Sequence, residues 1–219
     1  GIVTPISRRY ELLGWAAASA NRYIIEDDYD SEFRLTGKPI PSLQSMDITQ
    51  KVIYINTFTK SLSSTMRISY MVLPPELANR FLEQLSFYSC TVSNFEQYAL
   101  MRFINEGYFE KHINRMRNFY HKQRDILLDA IKRSPLSSHV TIMEEDSGLH
   151  FLLKLKMELS DKEFMQRALQ KGVKLNSLSA YYHDSPDDFA AHTFIINYSY
   201  LNTEHLAEAI NVLYDCIKK

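Results

Sequence analysis

Apolar positions follow two rhythms along this chain. Over residues 7–20, SRRYELLGWAAASA, the positions Tyr10, Leu13, Trp15 and the alanine run supply one face of a helix. Residues 22–26 (RYIIE), 51–58 (KVIYINTF) and 67–73 (RISYMVL) are short apolar runs, which predicts strands of an α/β sheet covered on both faces. The loop TGKPIPSLQS between the first two carries Gly37, Pro39 and Pro41 and reads as irregular. From Pro75 the pattern is helical for about sixty residues, with Ile113, Met116, Tyr120, Leu127 and Ile131 recurring near the period of a helix. Strands are predicted again at 140–145 and 149–155, joined by a hairpin-type turn at Asp146-Ser147-Gly148. A helix (160–171), a strand (173–178), a Pro/Asp loop (184–188), a strand (193–199) and a closing helix (203–218) complete the pattern. The expected organisation is an α/β part over 1–106 and an α+β part over 107–219.

Composition narrows the classes. Among 219 residues, 45% are hydrophobic and 23% charged, which excludes a disordered, collagen-like or coiled-coil chain. Lys+Arg is 25 against 26 for Asp+Glu, a net charge of -1, so the chain has no general attraction for nucleic acid or an anionic membrane. Cys90 and Cys216 make neither a disulfide scaffold nor a zinc site and read as small buried residues of a reducing compartment, the cytoplasm. No stretch approaches the ~20 apolar residues that span a membrane. The sequence opens without Met and as though inside a domain, so it reads as part of something longer.

Two segments carry candidate chemistry. At the end of the first strand, Glu26-Asp27-Asp28-Tyr29-Asp30-Ser31-Glu32 holds five acids in seven residues. Ligand sites of α/β sheets gather at such strand ends. A calcium loop would alternate Asp28, Asp30 and Glu32, but the turn glycine and distal bidentate glutamate are missing. A solvated acidic loop and a carboxylate holding a cationic ligand atom are the other readings, and no metal is expected. At the end of the second strand, Lys60 is flanked by Thr57, Thr59 and Ser61, with Arg67 seven residues on. Hydroxyls plus an arginine make a phosphate clamp. A lysine beside such a clamp, with a carboxylate on a neighbouring strand end, is what a Schiff-base pyridoxal phosphate site requires. Lys60 would form the imine, Thr57, Thr59 and Arg67 would bind the phosphate, Asp27 would keep the pyridine nitrogen protonated, and Tyr29 would donate to the ring phenolate oxygen.

The segments EDDYDSEFR, KPIPSLQ, VIYINTFTKSL and RISYMVLPPEL together resemble the aminotransferase-like domain of MocR-type regulators in the GntR superfamily. The opening GIVTPISRRYELLGWA, the run SGLHF, the run LSAYY and the strand Phe194-Ile195-Ile196-Asn197-Tyr198 extend the resemblance from end to end. It implies a fold-type-I pyridoxal-phosphate domain: the later part of the large domain with the cofactor lysine, then a small C-terminal domain. It also implies a cytoplasmic homodimer, whose N-terminal winged helix-turn-helix binds DNA and, like the first half of the large domain, is not in this sequence. The expected effector is pyridoxal phosphate or an amine resembling an amino acid or dipeptide, and no membrane partner is expected.

The sequence departs from the family where carboxylates are gripped. In GABA-responsive members a Ser-Arg-Phe triplet holds the effector carboxylate, and the matching positions here are Ser179-Ala180-Tyr181. No Lys or Arg occurs between Lys174 and Lys218, so the strand arginine of aminotransferases is missing too. A buried carboxylate needs a paired charge or dense hydrogen bonding. Sensing without catalysis is therefore the expected function, with a pyridoxal-phosphate-dependent aminotransferase as the alternative. His150 is expected to be packed, the basic run of 111–133 to be a solvated face, and Phe87-Tyr88 and Tyr181-Tyr182 to pack in a core or between lobes.

Overall fold

A computed structural model describes residues 4–33, 41–145, 148–183 and 188–218. The Gly37–Pro39 stretch, the Asp146-Ser147 step of the expected hairpin turn, and most of the 184–188 loop lie outside the described residues. The chain forms two compact units, Val3–Met116 and one made mainly of Arg117–Lys219. The division falls ten residues beyond the expected 106/107 boundary (116 − 106), inside one long helix.

The first unit begins with α1 (Ile6–Ala17) and the strand β1 (Ile24–Asp27). The short α2 (Leu43–Met46) leads to β2 (Val52–Thr57), followed at once by α3 (Phe58–Ser61) and β3 (Ser69–Val72). The sheet order is β1-β2-β3, with β1 parallel and β3 antiparallel to β2. Side chains alternate across a strand. One face of this sheet therefore carries Ile25, Asp27, Ile55, Thr57 and Met71, and the other Glu26, Tyr54, Asn56 and Tyr70. The expectation of strands covered on both faces fails here. Every residue of β3 is exposed, and Ile25 is 66% exposed. The helices α4 (Pro75–Leu85) and α5 (Asn94–Asn105) complete the unit, and only Leu100 is buried on the pair. The rings of Phe87 and Tyr88 lie 4.4 Å apart and tilted by 35°, but both are exposed, so they are not core.

The helix α6 (Tyr108–Arg133) enters the second unit. There β4 (Val140–Met143), β5 (His150–Leu155), β6 (Asn176–Ser177) and β7 (Thr193–Asn197) form an antiparallel sheet in the order β4-β5-β7-β6. The helix α7 (Asp161–Gln170) packs against β6, and α8 (Leu206–Ile217) packs against α7. Leu127, Phe151, Leu153, Phe164, Phe194, Tyr198 and Ile210 make a dense core, with Phe164 against Phe194 at 5.1 Å. Each such ring contributes roughly 1.5–3 kcal/mol by leaving water. The buried Tyr198 hydroxyl donates to the carbonyl of Gly148, whose φ of 84° suits a residue without a Cβ. The expected strand at 173–178 is shorter, because Leu178–Tyr181 winds into a 3-10 turn held by the Ser179 hydroxyl donating to Asp161 at 2.7 Å. Tyr181 is exposed rather than packed. His150 is partly buried, as expected, and burial lowers its pKa. Arg124 corrects the reading of a wholly solvated basic face: it is 7% exposed and donates to the Glu145 carbonyl.

Candidate functional site

The candidate residues all belong to the first unit. Asp27 ends β1 in register with Ile55 of the parallel β2, so the carboxyl ends of both strands lie side by side. Thr57 ends β2 and caps α3, where its hydroxyl accepts the Thr59 amide hydrogen. The turn places Lys60 in the last residues of α3. Antiparallel β3 starts with Ser69 opposite Thr57, which brings Arg67 to the same end of the sheet. Tyr29 follows Asp27 by two residues and is 41% exposed.

These groups differ in what they already bind. Asp27, Lys60 and Arg67 are exposed, and among the described residues none of their side chains has a hydrogen bond or ion pair. Thr57 and Thr59 are engaged: Thr57 Oγ1 donates toward the Ile68 carbonyl at 3.2 Å and Thr59 Oγ1 donates to that of Met66 at 2.9 Å. Their hydroxyls brace the lysine turn against the segment carrying Arg67. They would reach a phosphate as donors only after turning those protons outward. Ser61, beside Lys60, is 1% exposed and its Oγ has no hydrogen-bond partner among the described residues.

The other acids of the cluster have structural work. Glu26 accepts the backbone hydrogens of Leu43 at 2.7 Å and Gln44 at 3.0 Å, and so caps α2. Asp28 accepts from the Tyr54 hydroxyl at 2.9 Å and from Ser31 at 2.8 Å. Glu32 accepts from Asn56 at 3.2 Å, and burial pushes its carboxyl pKa above the ordinary value, with Asp28 and Asp30 adding in the same direction. Burial also raises the Tyr54 and Tyr70 phenols. Three further residues support the lysine turn and were not singled out in the sequence. Asn56 and Tyr54 lie beneath it, and His112 of α6 meets the Ser61 carbonyl through Nε2 at 3.0 Å. The polar Asn56 within the apolar run VIYIN was the available signal. Among the described residues there is no cluster of His, Cys, Asp and Glu that could hold a metal ion. No described helix is long and apolar enough to cross a membrane.

The residue types gathered at this strand end, an amine, a carboxylate and a guanidinium, are those that a pyridoxal phosphate site uses. No family model matches the chain. Its sequence is 47% identical to the HTH-type transcriptional regulator YdeL of Bacillus subtilis over 186 residues, 85% of this chain and 40% of that regulator. It is 36% identical over 87% of its length to the probable rhizopine catabolism regulatory protein MocR of Rhizobium meliloti, covering 38% of that protein. The chain belongs to the aminotransferase-like part of the MocR-type regulators. The solved structures it resembles are aminotransferases. That of the Pyrococcus horikoshii kynurenine aminotransferase, in complex with PMP, superposes over 100% of the chain with a TM-score of 0.81 and 29% identity, covering 53% of the enzyme. The multiple substrate aminotransferase of Thermococcus profundus matches over 98% of this chain and 52% of its own, at the same TM-score and 28% identity. The MocR-type chain is thus α/β, of the fold-type-I aminotransferase class, and spans about 40% of the length of the regulators it matches.

Proposed function

We propose that this MocR-type chain is the ligand-sensing domain of a transcription regulator, holds pyridoxal phosphate, and signals to a DNA-binding helix-turn-helix elsewhere in the full-length protein. The observation that carries this reading is the trio Asp27, Lys60 and Arg67, gathered at one end of a sheet, exposed and committed to no other described partner. Lys60 would hold the cofactor through its amine, the group that Schiff-base chemistry with an aldehyde requires. Asp27 holds the ring nitrogen, Tyr29 the phenolate oxygen, and Arg67 the phosphate, with Thr57 and Thr59 shaping the turn beneath it. The similarity to the pyridoxine biosynthesis regulator PdxR of Corynebacterium glutamicum, 26% identical over 81% of the chain, supports a regulator that responds to the cofactor or to a small amine.

We read the first unit as the later part of a fold-type-I large domain and the second as its small C-terminal domain, in a cytoplasmic homodimer. Sensing is favoured over turnover because transamination needs a cation for the substrate carboxylate, and no Lys or Arg lies between Lys174 and Lys218. Two assays on the full-length protein test this. Borohydride reduction and peptide mapping are expected to place the pyridoxyl group on Lys60, and pyridoxal phosphate is expected to change DNA affinity without multiple turnover of amino acids and 2-oxo acids. The likeness to aminotransferases sustains the second reading, an enzyme. Sustained transamination with DNA binding indifferent to the cofactor would establish it, and an adduct on another lysine would overturn the site.

A further inference from the structure

Behind the acidic segment lies a buried polar network on the face of β2 opposite Asp27 and Thr57. Asn56 is 2% exposed at its centre. Its Nδ2 donates to Glu32 Oε1 at 3.2 Å and to the Tyr54 hydroxyl oxygen at 2.9 Å, and its Oδ1 accepts the Thr57 amide hydrogen. Tyr54 in turn donates to Asp28, which also takes the Ser31 hydroxyl. One carboxamide therefore ties the segment after Asp27, which includes Tyr29, to the first residue of the turn that carries Lys60.

We propose that Asn56 is a positioning residue that fixes the Asp27–Tyr29 segment and the Lys60 turn relative to each other. This rests on reading that strand end as the cofactor site. Asn56 lies on the other face of the sheet from Asp27, so it acts through its neighbours rather than by touching a ligand. Only a side chain that donates and accepts at once satisfies both sides. A carboxylate would keep the bond from the Thr57 amide and lose both donors. An apolar residue would leave the Thr57 amide and the Glu32 carboxylate without this partner, a cost comparable to a lost hydrogen bond on each. The charged and titratable groups around it are Glu32, Asp28 and Asp30 from the acidic segment, Tyr54 of β2 and Tyr70 of β3. A carboxylate introduced here would face Glu32 at hydrogen-bonding distance among further acids, and one of the two would have to hold a proton.

The test uses the full-length regulator with pyridoxal phosphate as the probe. Three readouts are followed: the visible absorbance of bound cofactor, its dependence on pH, and amide hydrogen exchange of segments 28–33 and 57–61 without cofactor. N56D is expected to weaken cofactor binding about tenfold at neutral pH, with the loss growing as pH rises, and to speed exchange in both segments. N56D combined with E32Q exchanges donor and acceptor across the same bond. It is expected to return affinity, pH profile and exchange to within about twofold of wild type. A general loss of packing would not be repaired in this way. If N56D does not fold, N56S, uncharged and too short to reach Glu32, is expected to show the weaker binding and faster exchange. Wild-type affinity, pH profile and exchange in N56D, or in N56S where N56D is not folded, would overturn the proposal. So would failure of E32Q to repair N56D. A wild-type protein that takes up no pyridoxal phosphate would overturn the cofactor reading instead, and the exchange comparison would still decide whether Asn56 links the two segments.

Discussion

Two adjacent carboxylates illustrate how position divides labour at the scale of single residues. Asp28 receives two hydrogen bonds from the protein, while Asp27, one step earlier, receives none among the described residues. D28A is therefore expected to cost about 2 kcal/mol in denaturant unfolding, the worth of two bonds to a partly exposed carboxylate. D27A should leave the unfolding midpoint within the scatter of a surface change and instead lower affinity for pyridoxal phosphate. Two other acids give stability opposite pH slopes. Glu32 has a pKa raised above 4.5, so its contribution is present below that pH and lost as pH rises through the folded value. Asp47 is lowered below 3.8. Burial pushes its carboxyl up, but hydrogen bonds from Thr49, Lys51 and Val52 outweigh it, so its stabilisation is present above 3.8 and lost as pH falls. Melting temperatures followed from pH 3 to 8 should lose the acid-side slope in D47N and part of the upper slope in E32Q. The strand-end placement of Lys60, Arg67 and Asp27 was legible in the sequence because charged residues that follow short apolar runs stand out. The work of Glu26, Asp28 and Asn56 was not, since it depends on register: which residue of β2 lies beside which residue of β1.

At the scale of elements, caps and core contacts decide what can be changed. The α7 helix starts with a reciprocal capping box, in which Ser160 accepts from the Glu163 amide and Glu163 accepts from that of Ser160. S160A should cost about 1 kcal/mol, read as a shift in the urea midpoint. F164A, which empties a fully buried ring site against Phe194, should cost about 3–5 kcal/mol. The long helix α6 and the strands β5 and β7 follow their apolar rhythm closely, because there the buried face and the period are the same fact seen twice. The four-residue helices α2 and α3 escape that logic. They are too short to show a period, and α3 begins inside what reads as a continuing strand, where the Thr57 cap turns the chain. The exposed Cys90 was also misread as buried, since cysteine composition carries no information about whether the residue falls in a connection, as Cys90 does between α4 and α5.

At the scale of the whole molecule, the two units differ in how much of their apolar surface they bury themselves. The second has a filled interior. The first leaves Ile25, Met71, Phe87, Phe95 and Tyr98 exposed, an apolar display that suits further protein contacts. Sedimentation of the full-length regulator with cofactor should accordingly give twice the chain mass, and a stable monomer would count against the homodimer. The open rims of the first sheet carry one more consequence. With the order β1-β2-β3, both outer strands have one edge without a partner strand among the described residues, and the Ser69–Val72 rim is uncharged and exposed along its whole length. Such a rim is a template onto which another extended chain can zip. Solutions of this stretch produced alone should grow turbid and bind thioflavin as concentration rises, and M71K, a gatekeeper charge on the same rim, should delay that onset while leaving the circular dichroism spectrum unchanged.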